Sequence, residues 1–355
     1  MHSLPQRKLL PGQTADILLK GIRDGVWREH LPGEHALCAQ LQISRTTLRP
    51  ALAKLAKEGW ISASQGQRRR ILRTGSDQRG VGQTVRRVVL LMSQSQSNGL
   101  HLFLVGNLRE KLARAGFEME VFSARALMSR RPEATLEKLV RERRDAVWVL
   151  SSSSAAVQSW FMARRLPCVL DGSRHPGITL PMVDLDYYAL GQHAARQILH
   201  RGHRQVALLM PDPMRAGDQR TVDGFGEVCV PVGAALRVVK HDGTVAGITR
   251  KLDDLLRTVR PTVLLVAGAE HLLTVLTHLH LAGVRVPQQI SVLCRDGEQY
   301  LAHLLPPLTR YTVDQAKFGQ RLSRAVLTLA RGGVPRDHLL LPDFIKGGTL
   351  ARLSP

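Results

Sequence analysis

Cysteine is sparse in this 355-residue chain: Cys38, Cys168, Cys229 and Cys294 lie far apart, and no C-x-x-C pair occurs. That spacing excludes a disulfide framework and a zinc knuckle, and it fits a reducing compartment. Apolar runs are short, Val88-Val89-Leu90-Leu91-Met92 being typical of the longest, whereas a membrane span needs about 18 residues. The opening residues, Met1 to Lys8, lack the apolar core of a secretory signal, so the expected compartment is the cytoplasm and no membrane partner is expected. Catalytic signatures are missing as well. No G-x-G-x-x-G follows a strand pattern, and neither G-x-x-x-x-G-K-S/T nor G-x-S-x-G occurs. His271, His278 and His280 share one helical segment but miss the i, i+4 spacing of a zinc pair. No catalytic residue, metal or cofactor is therefore expected.

Acidic residues are also few. Asp and Glu number 29 against 50 Lys and Arg, a formal charge of +21. So basic a chain attracts polyanions, nucleic acid first and an anionic membrane surface second. What is plentiful is core material, 44% hydrophobic with 22% charged, enough to exclude disorder as the dominant state. At roughly 100–200 residues per domain, two or three domains are expected.

Basic charge is densest at the front, where residues 1–73 hold thirteen Lys/Arg against five Asp/Glu. Apolar residues there recur at helical spacing in three short segments: Ala15 to Trp27, Ala36 to Leu41, and Leu48 to Leu55. Residues 60–72 then read as a hairpin around Gly66 carrying Arg68, Arg69 and Arg70. Three helices and a basic hairpin make a winged helix-turn-helix, an α+β domain over residues 1–73. Ser44 is placed to cap the third helix through its hydroxyl. Arg45, Thr46, Thr47 and Arg49 then project from its first turns, the part of a recognition helix that reaches base edges in the major groove. Arginine can clamp guanine and threonine can meet phosphate or a thymine methyl. Gly66, Gln67, Arg68, Arg69 and Arg70 form the wing tip, expected on phosphate or in a minor groove. The run from Leu31-Pro32-Gly33-Glu34 through Ser44-Arg45-Thr46-Thr47-Leu48-Arg49 to Glu58-Gly59 resembles the DNA-binding signature of GntR-type bacterial regulators. The resemblance adds His35 to the DNA-contacting positions, where an arginine is usual. Pro50, inside the third helix, removes one backbone bond and should bend it slightly.

Residues 74–86 are polar, glycine-bearing and without apolar period, and read as a linker. Beyond them eight short apolar strands, Val88–Met92, Glu118–Phe122, Ala146–Leu150, Pro167–Leu170, Val206–Met210, Leu236–Lys240, Val263–Ala267 and Ile290–Leu293, alternate with amphipathic segments. That rhythm builds parallel sheets covered by helices, and eight strands over this length fit two similar lobes. The fold class is α/β overall.

Three pieces of this region resemble the periplasmic-binding-protein-like effector domain of LacI-type repressors: Val183-Asp184-Leu185-Asp186 running to Gly202-His203-Arg204, Arg260-Pro261-Thr262 leading to Val286-Pro287, and Pro307-Leu308-Thr309. The resemblance implies an effector domain over residues 87–355, with lobe one near 87–184 and 309–333 and lobe two near 185–308 and 334–350. It implies a ligand between the lobes, at the carboxyl ends of strands. Ser93, Ser95, Asp171, Asp186, Arg220, Glu270 and Asp296 are the expected ligand-binding residues, offering the acceptors and donors that sugar hydroxyls require. Asp296 matches the resembled pattern directly. The usual arginine three residues before Gly224-Phe225 is replaced by Thr221, and Gly268-Ala269 replaces an Asn-Asp pair. A GntR-type reader joined to a LacI-type sensor resembles the arabinose-repressor class. That implies a homodimeric, cytoplasmic transcriptional repressor that binds a double-stranded operator and senses a sugar or sugar derivative. The rival readings are a Rossmann-like sugar- or nucleotide-processing enzyme, and a regulator whose cleft has degenerated.

Overall fold

Leu18, Ile22, Leu37, Leu48, Leu52 and Leu55 are almost wholly buried, and they come from three helices: α1 (Leu10–Arg23), α2 (Glu34–Leu41) and α3 (Arg45–Lys57). The apolar spacing read in the sequence thus closes one aliphatic core, joined by Leu31, Ile61 and Ile71 from the segments around the wing. The computed structural model describes residues 10–23, 26–27, 29–62, 69–72, 87–92, 99–124, 127, 129 and 131–353. The chain divides into two units, Met1–Thr84 and Val85–Pro355.

The hairpin is paired at its base, where Ile61 faces Ile71 and His30 faces Arg70. Leu72 N–H donates to Trp60 O at 2.9 Å, and Ser62 N–H to Arg70 O at 2.8 Å. Gly66, Gln67 and Arg68 lie outside the described residues, as does the linker 74–86. Helix α3 runs unbroken through Pro50, which is exposed, while Leu48, Ala51, Leu52 and Leu55 face the core.

The second unit contains two sheets. The first is ordered β11-β5-β4-β3-β1-β2, from β1 (Arg87–Met92), β2 (Glu118–Ser123), β3 (Val147–Ser151), β4 (Cys168–Asp171), β5 (Met182–Leu185) and β11 (His338–Leu340). The second is ordered β12-β10-β9-β8-β6-β7, from β6 (Gln205–Pro211), β7 (Ala235–His241), β8 (Val263–Val266), β9 (Ser291–Cys294), β10 (Thr309–Thr312) and β12 (Asp343–Ile345). All described pairings are parallel except β10 with β12. Strands β3 and β4 are buried along their whole length, as expected where helices cover both faces.

Helices α4 (Gly99–Arg114) and α11 (Gln315–Ala330) cover one face of the first sheet, and α5 (Glu133–Glu142) and α6 (Ala155–Ala163) the other. On the second sheet, α7 (Tyr187–Leu199) and α8 (Ala216–Cys229) take one face, while α9 (Val245–Thr258) and α10 (Ala269–Leu281) take the other. The chain crosses between lobes after β5, after β10 and after β11. Two crossings are tied together where Asp186 N–H donates to Leu340 O at 2.9 Å.

The lobe boundaries differ from the sequence-based expectation in two places. Thr309–Thr312 pairs with β9 in the second sheet rather than returning to lobe one, and His338–Leu340 joins the first sheet rather than lobe two. Strands of only four and three residues carry too little pattern of their own, so local sequence does not choose the sheet.

Candidate nucleic-acid interface and ligand cleft

In the N-terminal unit, Ser44 caps α3: its Oγ accepts Thr47 N–H at 3.3 Å. The same hydroxyl lies 2.6 Å from Thr46 Oγ1 and 3.0 Å from Thr47 Oγ1, so three hydroxyls cluster at the helix start. A helix N-terminus with free N–H groups favours phosphate. Arg45, Thr46 and Arg49 are exposed, Thr47 is half-buried, and His35 is exposed on α2. The two described wing arginines differ. Arg70 is exposed, but Arg69 is mostly covered and turns toward Glu34.

In the second unit a cavity of about 200 Å³ lies between the sheets, at the carboxyl ends of β4, β5, β6 and β9. Asp171, Glu270 and Asp296 line it. Asp186 and Arg220 are not among its lining residues. Asp186 instead caps α7 by accepting Ala189 N–H at 3.0 Å, and Arg220 Nη2 lies 4.0 Å from its carboxylate. Capping explains why an aspartate stands at residue 186, since the helix that follows leaves its first amides unpaired. Ser93 and Ser95 lie outside the described residues.

The centre of the cleft is an ion cluster that motif reading passed over. Arg295 is 7% exposed; its Nη1 donates to Asp218 Oδ1 at 2.5 Å and its Nη2 to Asp296 Oδ2 at 2.6 Å. Its guanidinium lies over the Tyr187 ring at 4.8 Å, and Nη1 comes within 3.5 Å of Thr221 Oγ1. A guanidinium is thus present beside Thr221, where the resemblance implied an arginine, but it arrives from the end of β9 instead of from α8. The sequence signal was a single one: an arginine set between Cys294 and Asp296 at the end of an apolar strand.

Opposite this cluster, Ser151 Oγ donates to Asp171 Oδ2 at 2.6 Å and Ser173 Oγ donates to Asp184. Asp184 is 4% exposed, and burial pushes its carboxyl up to about 7 against the pull of the Ser173 hydroxyl, with Asp171 raising it further. Gly268, at the start of α10, has φ of +90°, and a Cβ there would meet His271 Nδ1 at 2.9 Å. That backbone disfavours any side chain, which accounts for glycine where the resemblance implied asparagine. His271 packs edge-on against His241 with centroids 4.4 Å apart. Burial, with His271 beside it, holds His241 down at about 4, so it is neutral at pH 7.

The raised carboxyl of Asp184 makes a pH prediction. The folded protein binds its proton more tightly than the unfolded chain, so the native state is favoured below pH 4 and loses that contribution as pH rises toward 7. Asp184→Asn keeps an acceptor for Ser173 and removes the titration. Chemical denaturation between pH 4 and 8 should show the variant with a flatter pH dependence, gaining on the wild type by a few kcal/mol at most above pH 7. An unchanged profile would contradict the assignment.

Comparison with known proteins agrees with both halves. Residues 11–71 match the gntR family of bacterial regulatory proteins, and residues 183–350 match the periplasmic binding protein-like domain. The chain is 24% identical over 316 residues to the arabinose metabolism transcriptional repressor of Geobacillus stearothermophilus, covering 85% of each chain. Among solved structures, a LacI family transcriptional regulator from Bifidobacterium animalis subsp. lactis superposes with a TM-score of 0.66 at 18% identity, covering 76% of this chain and 99% of that one. The transcriptional regulator CelR in complex with cellobiose superposes with a TM-score of 0.65 at 17% identity, covering 90% of this chain and 100% of that one.

Proposed function

We infer, from a chain that matches the gntR family at residues 11–71 and the periplasmic binding protein-like domain at residues 183–350, that the protein is a DNA-binding transcriptional regulator, a repressor whose hold on DNA a small effector relieves. The observation that carries the reading is the Ser44-capped start of α3, which leaves Arg45, Thr46 and Arg49 exposed beside a paired wing base. Two such helices from a homodimer match the half-sites of a pseudo-palindromic operator, and ligand-driven movement of the lobes changes their separation.

The effector we propose is a sugar or sugar derivative. Its support is chemical, together with the printed names of the relatives, one of arabinose metabolism and one holding cellobiose. Asp171, Asp184, Asp218, Glu270, Asp296 and Glu298 line the cleft against Arg215 and Arg295 as its described arginines. Carboxylates accept hydroxyl protons and repel phosphate, so a neutral, hydroxyl-rich molecule suits the cavity better than a phosphorylated one. Among the described residues no helix is long and apolar enough to cross a membrane.

The test is selection of duplexes from a random pool, followed by fluorescence anisotropy on the selected site. Arg45→Ala should weaken that site by about 1–3 kcal/mol, roughly 5- to 150-fold, and relax base preference at one position. Free sugars, and not their phosphates, should release the duplex. Equal loss on selected and random DNA would remove Arg45 from base reading. Failure of any site to emerge would return the enzyme reading.

A further inference from the structure

Three elements of the DNA-binding unit converge on one carboxylate. Glu34 is the first residue of α2. Its Oε2 accepts Arg49 Nε of the recognition helix at 3.1 Å, and its Oε1 lies 3.7 Å from Arg69 Nη2 at the wing base. Neighbouring backbone bonds hold this geometry: Leu31 N–H donates to Arg69 O at 2.9 Å, and Ile71 N–H to Glu29 O at 2.8 Å. The side chains are unequally exposed, 67% for Arg49, 31% for Glu34 and 15% for Arg69.

An exposed ion pair of this kind adds little to folding stability. A negative charge on the face that meets DNA also opposes phosphate. A fold-stabilising role therefore explains the arrangement poorly. Its geometric effect is clearer: one carboxylate fixes the direction of two arginines that leave from different elements, one over the major-groove helix and one beside the wing.

We propose that Glu34 is a positioning residue for DNA recognition, holding Arg49 and Arg69 in register through its two oxygens and yielding them to backbone phosphates when the duplex docks. Binding then exchanges an internal carboxylate for phosphate at two arginines. The exchange lowers affinity for arbitrary DNA, because part of the cationic charge is already neutralised. It raises discrimination, because the arginines are pre-aimed and only a well-seated duplex replaces Glu34 at both.

The experiment uses the full-length protein, a random-sequence duplex and the duplex selected as above, with anisotropy measured from 50 to 300 mM salt. Glu34→Gln keeps the shape and removes the charge. It should tighten binding to random duplex about three- to tenfold at low salt and steepen the slope of log affinity against log salt by up to about one, the value of one added phosphate contact. The ratio of selected to random affinity should fall at least fivefold. Glu34→Asp retains the charge and should keep the wild-type slope. Arg49→Gln placed on Glu34→Gln should cancel the gain on random duplex.

Two results overturn the proposal. One is an unchanged slope and ratio in a Glu34→Gln variant that melts like the wild type. The other is parallel weakening on both duplexes with a lowered melting temperature, which marks a purely structural role. The slope on random duplex decides even where no selected site is in hand, so this outcome is separable from failure of the operator reading.

Discussion

Replacing Arg295 by methionine should cost about 3–5 kcal/mol of stability, the usual result of removing one partner from a buried ion pair. Asp218 is 2% exposed, and its carboxylate accepts Arg295 Nη1 at 2.5 Å and Arg215 N–H at 2.7 Å. Methionine fills the volume but leaves that carboxylate charged and held by one amide. Chemical denaturation tests this. The double variant Arg295→Met/Asp218→Asn should recover most of the loss, because the uncompensated charge is what costs energy and the missing contact is minor. Destabilisation with no recovery in the double variant would mean that packing against Tyr187 dominates. Effector binding should be lost in both variants, since Asp296 also loses its partner, which donates to it from Nε at 3.0 Å and Nη2 at 2.6 Å.

Gly191→Ala should also be strongly destabilising. A Cβ on Gly191 would stand 2.4 Å from Thr221 O, and one on Gly224 would stand 2.3 Å from Tyr188 O. Helices α7 and α8 therefore cross through a reciprocal glycine contact, backbone against backbone, and neither can move aside without disturbing the core around Phe225 and Leu190. Overpacking of this kind costs about 1–3 kcal/mol and more when the obstacle is main chain. The displaced helix α8 carries Asp218 and Thr221, so the Arg295 cluster should be disturbed as well. The checks are thermal unfolding and the salt dependence of DNA binding. The variant should melt several degrees lower, while its isolated reader function on random duplex stays near wild type. A wild-type melting temperature would show that the helices slide apart freely.

Gly191 and Gly224-Phe225 sit in recognisable motifs, but the motifs say nothing of why glycine is needed until the crossing is seen. The reader domain was legible because its signals are local. Ser44 and the amide it caps are three residues apart, the apolar stripe of α3 repeats within a few turns, and the wing base closes over about ten residues. The eight expected strands of the larger unit were legible for the same reason, each being a short apolar run between helical patterns.

The site was legible only in part. Asp171, Glu270 and Asp296 end or follow strands, and strand ends in such sheets converge on one cleft, so chain position alone carried them there. Asp186 has the same position and a different task, because the helix that follows it needs a cap. Sequence by itself determined the α/β rhythm, the winged reader and the basic charge, all of which depend on neighbours in the chain. Only the tertiary structure decided which sheet β10 and β11 complete, that Arg295 meets Asp218 across 77 residues, and that Glu34 gathers Arg49 and Arg69. Those outcomes turn on where separate segments close against one another, and ion pairs between distant segments leave no period, cap or motif behind them in the chain.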